Sequence, residues 1–288
     1  MKQARMKITL LGTGGPKPET GRQGAGISVQ VGDETLLFDA GRGITTQLVK
    51  AGIPPERVNP IFITHHHFDH IGNLGDLILS AWINGRKNPL FIFGPKGTTG
   101  IIAALLNGVY GGDIAFRLAV AASNKSPLAD IRDLVQVTEA GAGLIHDSGK
   151  YRVYGEDVEH GHGLGISRDH WTCLGYRVEA EGKTVAISGD TVACEGINHL
   201  AKNADVLIQC CYLAEAEITN RVDERISKYI LASSQEAGKI AARTGVKKLV
   251  LTHFREKSRE MMDALLKDVQ KGYKGTVCLG EDLMVIDL

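Results

Sequence analysis

Apolar residues along this chain occur in short runs that end at Gly, Pro or Asp residues. The runs are rich in Val, Ile, Leu and Phe, which is typical of strands that are covered by helices. We therefore predict strands over Lys7–Leu11, Gly26–Val31, Thr35–Phe38, Pro60–Ile63, Pro89–Ile92, Tyr151–Tyr154, Leu174–Ala180, Thr184–Ser188, Val206–Gln209, Lys248–Leu251, Thr276–Leu279 and Leu283–Ile286.

Segments between these runs have the pattern of helices. Gly43–Ala51 is followed by Gly52 and then by Pro54, a combination that commonly ends a helix. Ser233 or Ser234 is a suitable N-cap for a later helix. Because strands alternate with helices, the sequence predicts a layered α/β fold. The other helical segments are Leu74–Ile83, Gly100–Leu106, Ser234–Thr244, Glu260–Gln270 and the charged Tyr212–Tyr229.

The chain is predicted to form one domain. Its 288 residues, 43% of them hydrophobic, are enough to bury a sizeable core. No linker-like stretch divides the sequence, and the weakest pattern lies in Asn107–Gly149, where Gly-Gly and Gly-Ala-Gly segments occur. We expect a single domain over residues 1–288, with a variable rim or lid insertion around 107–149.

Composition narrows the range of partners and locations. Formal net charge is zero, so global charge favours neither nucleic acid nor a membrane surface. No apolar segment reaches the ~18 residues of a membrane-spanning helix. The five cysteines are odd in number and irregularly spaced, which favours free thiols in a reducing compartment. The opening residues Met1–Arg5 are polar, so we expect a cytoplasmic protein without a signal peptide, starting at Met1 or Met6.

The most informative motif is His-x-His-x-Asp-His. His65, His67, Asp69 and His70 place four candidate metal ligands within six residues, directly after the apolar run Pro60–Ile63. Imidazoles and a carboxylate at this density suit zinc or a similar first-row metal. The motif therefore indicates hydrolysis by a metal-activated water.

Further donors are predicted at the ends of other strands. One loop cannot easily direct all four of its donors to a single ion, so two ions about 3.5–4 Å apart are the more natural arrangement. That arrangement needs additional ligands, and His160, Asp190 and His253 each follow a predicted strand. Strand ends of an α/β sheet meet in a crevice, where these side chains are expected to converge.

At this point the chain resembles the metallo-β-lactamase superfamily of metallohydrolases, which have an αββα four-layer sandwich and a binuclear site. The resemblance runs from Leu10-Leu11-Gly12-Thr13-Gly14 to His253. It implies that two Zn²⁺ ions, or Mn²⁺ or Fe²⁺ in their place, are bound. It further implies that Asp39 supports the ligands. The implied ligands of the first ion are His65, His67 and His160, those of the second are Asp69, His70 and His253, and Asp190 bridges both. His162 lies close to His160 and is the alternative at that position.

The resemblance is strongest to the tRNase Z and arylsulfatase-like branch. Phe93-Gly94-Pro95 and Ser188-Gly189-Asp190-Thr191 are among the matching segments. Three departures argue against tRNA as the substrate. Too few residues separate Tyr176 from Asp190 for a tRNA-gripping arm. Leu231–Ala237 lacks the histidine of the family's His-x-Thr motif, and Cys210-Cys211 replaces a glutamate.

The sequence therefore predicts a binuclear zinc hydrolase of small esters, a phosphodiester or an aryl sulfate, that acts through a metal-bridging hydroxide. A 3′-tRNA-processing endoribonuclease is the alternative, and lactonase or β-lactamase activity is a further one. Small-molecule esters are the expected partners, with nucleic acid less favoured, no membrane, and a homodimer left open. Asp69, His162 and His170 are candidate proton carriers. Trp82, Tyr110 and Trp171 are candidates for an apolar leaving-group pocket.

Overall fold

The computed structural model describes residues 6–126 and 128–288 and contains two seven-stranded sheets. The first sheet has the order β14-β1-β2-β3-β4-β5-β6, and the second has the order β13-β12-β11-β10-β9-β8-β7. The strands are β1 (Lys7–Gly12), β2 (Gly26–Val31), β3 (Glu34–Phe38), β4 (Val58–Phe62), β5 (Leu90–Gly94), β6 (Val135–Glu139), β7 (Gly143–Asp147), β8 (Tyr151–Asp157), β9 (Leu174–Ala180), β10 (Lys183–Ile187), β11 (Val206–Cys210), β12 (Lys248–Thr252), β13 (Thr276–Leu279) and β14 (Met284–Asp287).

Helices follow most of the parallel strands. The Ser233 hydroxyl accepts a hydrogen bond from the Glu236 N–H and so caps the helix that starts at Ser234, as predicted. The helices are α1 (Ile44–Lys50), α2 (Phe68–Ile71), α3 (Leu74–Ile83), α4 (Thr98–Ala103), which continues as a π-helix over Ala104–Val109, α5 (Gly111–Ser123), α6 (Ile131–Leu134), α7 (Glu195–Ala201), α8 (Arg221–Tyr229), α9 (Ser234–Thr244) and α10 (Arg259–Gly272).

Three apolar clusters explain the layering. The central cluster joins the two sheets, because residues of both, such as Phe38 and Phe62 on one and Tyr176 on the other, pack together. A second cluster lies between the first sheet and helices such as α1 and α3, and a third lies between the second sheet and α7, α9 and α10. The order helix, sheet, sheet, helix confirms the predicted αββα sandwich.

Every predicted strand is present, within two residues at each end except that β8 extends three residues further. The segment 107–149 differs from the expected rim loop. It contains α5 and α6, and it supplies one edge strand of each sheet, β6 in the first and β7 in the second. Both strands are mostly exposed, so their polar residues gave no clear alternation of buried and exposed positions.

The arrangement of parallel strands determines where the site lies. In the first sheet β3, β4, β5 and β6 are parallel, and in the second β10, β11, β12 and β13 are parallel. The carboxyl ends of parallel strands share one edge of a sheet, and ligands commonly bind outside that edge. The predicted metal ligands all follow strands of these two sheets.

Two further expectations concern membranes and the chain start. Within the described ranges, no single helix is long and apolar enough to cross a membrane; Thr98–Val109 and Gly111–Ser123 meet that test only as a pair bent by 61°. The choice between Met1 and Met6 and the question of a signal peptide concern residues 1–5, which lie outside the described residues.

Candidate metal centre

The His-x-His-x-Asp-His segment begins just beyond β4 and ends in the short helix α2. His65 and His67 lie in the connecting loop, whereas Asp69 and His70 lie within α2. The backbone holds this turn in place, because the Asp69 carbonyl accepts a hydrogen bond from Ala25 N–H and the His70 carbonyl accepts one from Ala40 N–H. The four side chains therefore project from a fixed loop at the end of the first sheet.

The remaining donors come from the second sheet. His160 follows β8, Asp190 follows β10, and His253 follows β12. Gly189, immediately before Asp190, has a φ of 57°, and a Cβ there would lie 2.8 Å from the Leu174 carbonyl oxygen. A residue without a side chain is needed at that turn, which places the Asp190 carboxylate against the opposite sheet.

Four donors form the first group. The His67 Nδ1 atom lies 3.0 Å from His65 Nε2 and 3.2 Å from His160 Nε2. The Asp190 Oδ2 atom lies 3.9 Å from His65 Nε2 and 3.8 Å from His160 Nε2. These atoms lie within 4.8 Å of one another, close enough to share one ion.

Three donors form the second group, and Asp190 is adjacent to it as well. The His253 Nε2 atom lies 3.2 Å from both His70 Nε2 and Asp69 Oδ2. Asp190 Oδ1 lies 3.5 Å from His70 Nε2, and Asp190 Oδ2 lies 3.4 Å from His253 Nε2. The Asp190 carboxylate therefore lies between the two groups, and its oxygens are close to donor atoms of both.

Other groups orient the imidazole rings. Asp39 Oδ2 lies 2.7 Å from His70 Nδ1, and the Asp39 carboxylate also accepts hydrogen bonds of 2.8 Å from the Thr64 N–H and hydroxyl. His160 Nδ1 lies 2.7 Å from the Ile230 carbonyl oxygen. Partners of this kind fix the tautomer of a metal-binding imidazole and leave its other nitrogen for the ion.

Burial and neighbouring charges determine which of the donor side chains carry a proton. It lowers the pKa of His65 well below its usual value and that of His67 to about 4, and it lowers the pKa of His160 as well. Burial alone would raise the pKa of Asp190, but the neighbouring His253 and His70 bring it well below its usual range. Near neutral pH, His65, His67 and His160 are therefore neutral and Asp190 is ionised, the forms that bind metal. Burial would also lower the pKa of His70, but the Asp190 and Asp39 carboxylates raise it well above its usual value, so an ion bound there would displace a proton.

The donor set fits divalent cations. Two imidazole nitrogens, His65 Nε2 and His160 Nε2, lie 3.0 and 3.2 Å from His67 Nδ1, and a single proton cannot satisfy both contacts. Asp190 Oδ1 is buried without a hydrogen-bond partner among the described residues. Ligand atoms of a tetrahedral zinc lie about 3.3–3.4 Å apart when the bonds are about 2.0–2.1 Å, and the observed spacing is similar.

A cavity of about 350 Å³ lies beside the centre. Its lining is largely apolar and was not predicted from the sequence. The residues around it are Pro16, His67, Phe68, Asp69, His160, Asp190, Tyr212, Ile226, Ile230, Leu231 and His253. Phe68 is 62% exposed and stands between the donors His67 and Asp69, so its position was implicit in the motif. Tyr212 could have been noticed because it closely follows the end of β11.

Several histidines of the sequence lie outside the cavity, or have their ring nitrogens occupied by hydrogen bonds. His162 Nδ1 accepts the His160 N–H, and His162 Nε2 donates to the Trp171 carbonyl oxygen, so both ring nitrogens are used. His170 is exposed and does not line the cavity. His66 lies between two donors in the sequence but is not part of either group, and its Nε2 lies 2.8 Å from the Thr98 hydroxyl.

The predicted apolar pocket is wrong for two of its three residues. Trp82 is fully buried beneath the first sheet and donates a hydrogen bond to the Ala129 carbonyl oxygen. Tyr110 packs against Gly75 in the same outer cluster. Trp171 does reach the centre, since its ring centroid lies 4.6 Å from that of His67. None of the described residues of the segment 107–149 lines the cavity.

Comparisons with known proteins identify the family of this chain. The model of the beta-lactamase superfamily domain matches residues 34–254. The chain is 33% identical to a ribonuclease Z of Mycolicibacterium paratuberculosis (strain ATCC BAA-968 / K-10) over 287 residues, 96% of each chain. It is 34% identical to a ribonuclease Z of Mycobacterium sp. (strain KMS), covering 86% of this chain and 84% of that protein.

Solved structures give the same picture. The short form of human tRNase Z has a TM-score of 0.70 and 25% identity over 98% of both chains. The metallo-beta-lactamase fold protein YhfI from Bacillus subtilis has a TM-score of 0.75 and 21% identity, covering 99% of this chain and 100% of that one. This chain therefore belongs to the ribonuclease Z family of the beta-lactamase superfamily, and it is a metal-dependent hydrolase of ester bonds.

Proposed function

We propose that this protein is a tRNase Z-type endoribonuclease that hydrolyses a phosphodiester bond at the 3′ side of precursor tRNA. The observation that carries the proposal is identity of 33% to a ribonuclease Z along 96% of the chain, together with a complete set of seven converging donors. Of the two ester hydrolases expected from the sequence, the small-ester enzyme has less support than the endoribonuclease.

Two Zn²⁺ ions are the proposed cofactors. His65, His67 and His160 would hold the first ion, Asp69, His70 and His253 would hold the second, and Asp190 would contact both. When bound, such ions supply Lewis acidity, which lowers the pKa of a water and offsets negative charge on phosphate oxygens. Asp69 also lines the cavity, where its carboxylate can take a proton from the attacking water.

Cationic side chains near the cavity support a phosphate-rich substrate. Exposed Lys17 follows the cavity residue Pro16, and the Arg255 guanidinium lies over the Tyr212 ring at 5.7 Å from its centroid. Arg255 is also paired with Glu217, at 2.8 Å, so of these two described cations Lys17 is the one that is free to meet a phosphate. Lysine and arginine contacts to phosphates position a nucleic acid without reading its sequence. Because the chain is neutral overall, we expect few such contacts and a shallow dependence of affinity on salt.

A second candidate is a phosphodiesterase of small substrates. Strands β9 and β10 are joined by the two residues Glu181 and Gly182, both with positive φ, so this hairpin carries no arm for gripping tRNA. The apolar cavity beside the donors also suits an aryl or base-sized group. This candidate uses the same centre and differs only in substrate size.

We also propose that the chain works as one metallo-β-lactamase-fold domain in the cytoplasm. Its five cysteines are free thiols, which fits a reducing compartment.

The deciding experiment incubates the zinc-loaded protein with a precursor tRNA that carries a 3′ trailer. The proposal predicts one cleavage position at the 3′ side of the tRNA, mapped by the lengths of both products. The same protein is tested on bis(4-nitrophenyl) phosphate and 4-nitrophenyl sulfate. Intact precursor tRNA alongside rapid turnover of either small ester would refute the endoribonuclease and favour the second candidate.

A further inference from the structure

Phosphodiester hydrolysis at a ribose is accelerated by a proton donor. The leaving ribose oxygen departs as a strongly basic alkoxide unless it is protonated, and a positioned acid typically contributes about 10²–10⁴-fold to such a step. Neither histidine suggested for this role fits it. His162 uses both ring nitrogens in hydrogen bonds, and His170 is exposed outside the cavity.

The cavity lining contains one candidate for the proton donor. Beyond the ligand set, its lining residues are apolar apart from Tyr212, within the part of the chain that the structure describes. The apolar ones are Pro16, Phe68, Ile226, Ile230 and Leu231. A phenol is a proton donor and a hydrogen-bond donor near neutral pH. Tyr212 therefore carries the protic group that the cavity offers besides the ligands themselves.

The Tyr212 ring is held in a defined position beside the centre. Its centroid lies 6.3 Å from that of His253, a donor of the second group. Arg255 covers one side of the ring, and the Lys257 ammonium donates a hydrogen bond of 2.8 Å to the Tyr212 carbonyl oxygen. A Cβ on Gly15 would lie 3.4 Å from the Tyr212 ring, so the absence of a side chain there makes room for it.

We propose that the Tyr212 hydroxyl protonates the leaving oxygen, which makes Tyr212 a catalytic residue. This inference rests on the proposed phosphodiester hydrolysis. The water oxygen forms a bond to phosphorus, and the bond between phosphorus and the ribose oxygen breaks with its electron pair on that oxygen. The oxygen takes the phenol proton. One proton of the attacking water passes to Asp69, which releases it to solvent, and the phenolate of Tyr212 regains a proton from solvent. One water is therefore consumed per bond broken.

The test compares leaving groups of different basicity in the variant Tyr212→Phe. The full-length zinc-loaded protein is assayed on precursor tRNA, whose leaving oxygen is an alkoxide, and on bis(4-nitrophenyl) phosphate, whose nitrophenolate departs without protonation. We expect kcat to fall by about 100-fold or more on tRNA and by less than about threefold on the nitrophenyl ester. A merely structural role would lower both rates equally.

Two controls keep the result interpretable. Tyr110→Phe removes a phenol hydroxyl from the outer cluster against Gly75, and we expect unchanged rates on both substrates. Zinc content and melting temperature of Tyr212→Phe should equal those of the unchanged protein. Equal losses on the two substrates, or a loss below about threefold on tRNA, would overturn the role of Tyr212.

If the proposed function is wrong, the same assays give a different result. A protein that leaves precursor tRNA intact but hydrolyses the nitrophenyl ester refutes tRNA processing alone. Tyr212 is then tested on thymidine 5′-phosphate esters of methanol and of 4-nitrophenol. A selective loss on the methyl ester supports the proton donor, and an equal loss on both esters overturns it.

Discussion

Asp39→Asn isolates the contribution of a carboxylate that touches the centre only through its ligands. Asp39 is 5% exposed, and its Oδ2 atom contacts both His70 Nδ1 and the Thr64 hydroxyl, at 2.7 and 2.8 Å. An amide nitrogen cannot accept either bond, whereas an amide oxygen at that position leaves Thr64 N–H facing the NH₂ group. Asn tolerates the left-handed φ of 61° at this position, so the backbone adds little strain.

The expected result is a loss of about 10–100-fold in zinc affinity, because partners of metal-binding histidines are typically worth that much. This corresponds to about 1.4–2.8 kcal/mol of binding free energy. Affinity is measured by competition with a chromophoric chelator on metal-free protein. Zinc affinity within about twofold of the unchanged protein would refute the idea that Asp39 orients His70.

Asp282→Asn is the matched control. Asp282 accepts hydrogen bonds from Thr13, Gln23 and Gln47, and none of these groups is one of the seven donors. We expect this variant to melt at a lower temperature while its zinc affinity stays unchanged, since it loses partly buried bonds to a charged group.

Three further outcomes follow from the structure. Asp190→Ala should reduce turnover to background and zinc content below two ions, as measured by elemental analysis, because it removes the carboxylate between the two groups; a fully active variant would contradict this. Chelation should lower the melting temperature by roughly 10 °C if zinc exceeds its Kd about 1,000-fold, and an unchanged calorimetric transition would contradict it. Gly41→Ala should weaken zinc binding, because its Cβ would lie 2.1 Å from the Asp69 carbonyl oxygen; unchanged affinity would argue against a rigid loop.

The sequence predicted the fold well because most of the strands are buried by helices. Strands such as β11 have every residue buried and therefore read as short apolar runs. The exposed edge strands β6 and β7 lack that signal and were missed. Helix α5 was missed for a related reason, since Ile114 is its one residue described as buried.

The seven candidate donors could be found from the sequence because they are chemically distinctive residues in the loops, or in the short helix α2, that follow strands. The resemblance favoured His160 over His162 as the candidate ligand. In the structure the two side chains differ, because His162 Nδ1 accepts a hydrogen bond from the His160 N–H. The cavity could not be predicted, because Ile226 and Leu231 come from α8 and the residues after it. Their apolar side chains carry no signature that separates a cavity wall from a core.

Zinc titration of the metal-free protein tests the central claim most directly. Turnover of bis(4-nitrophenyl) phosphate is followed while zinc is added in known ratio to the chain. The seven-donor centre predicts that activity is absent without metal and reaches its maximum at two ions per chain. Turnover by the metal-free protein, or a maximum at one ion, would contradict the binuclear centre.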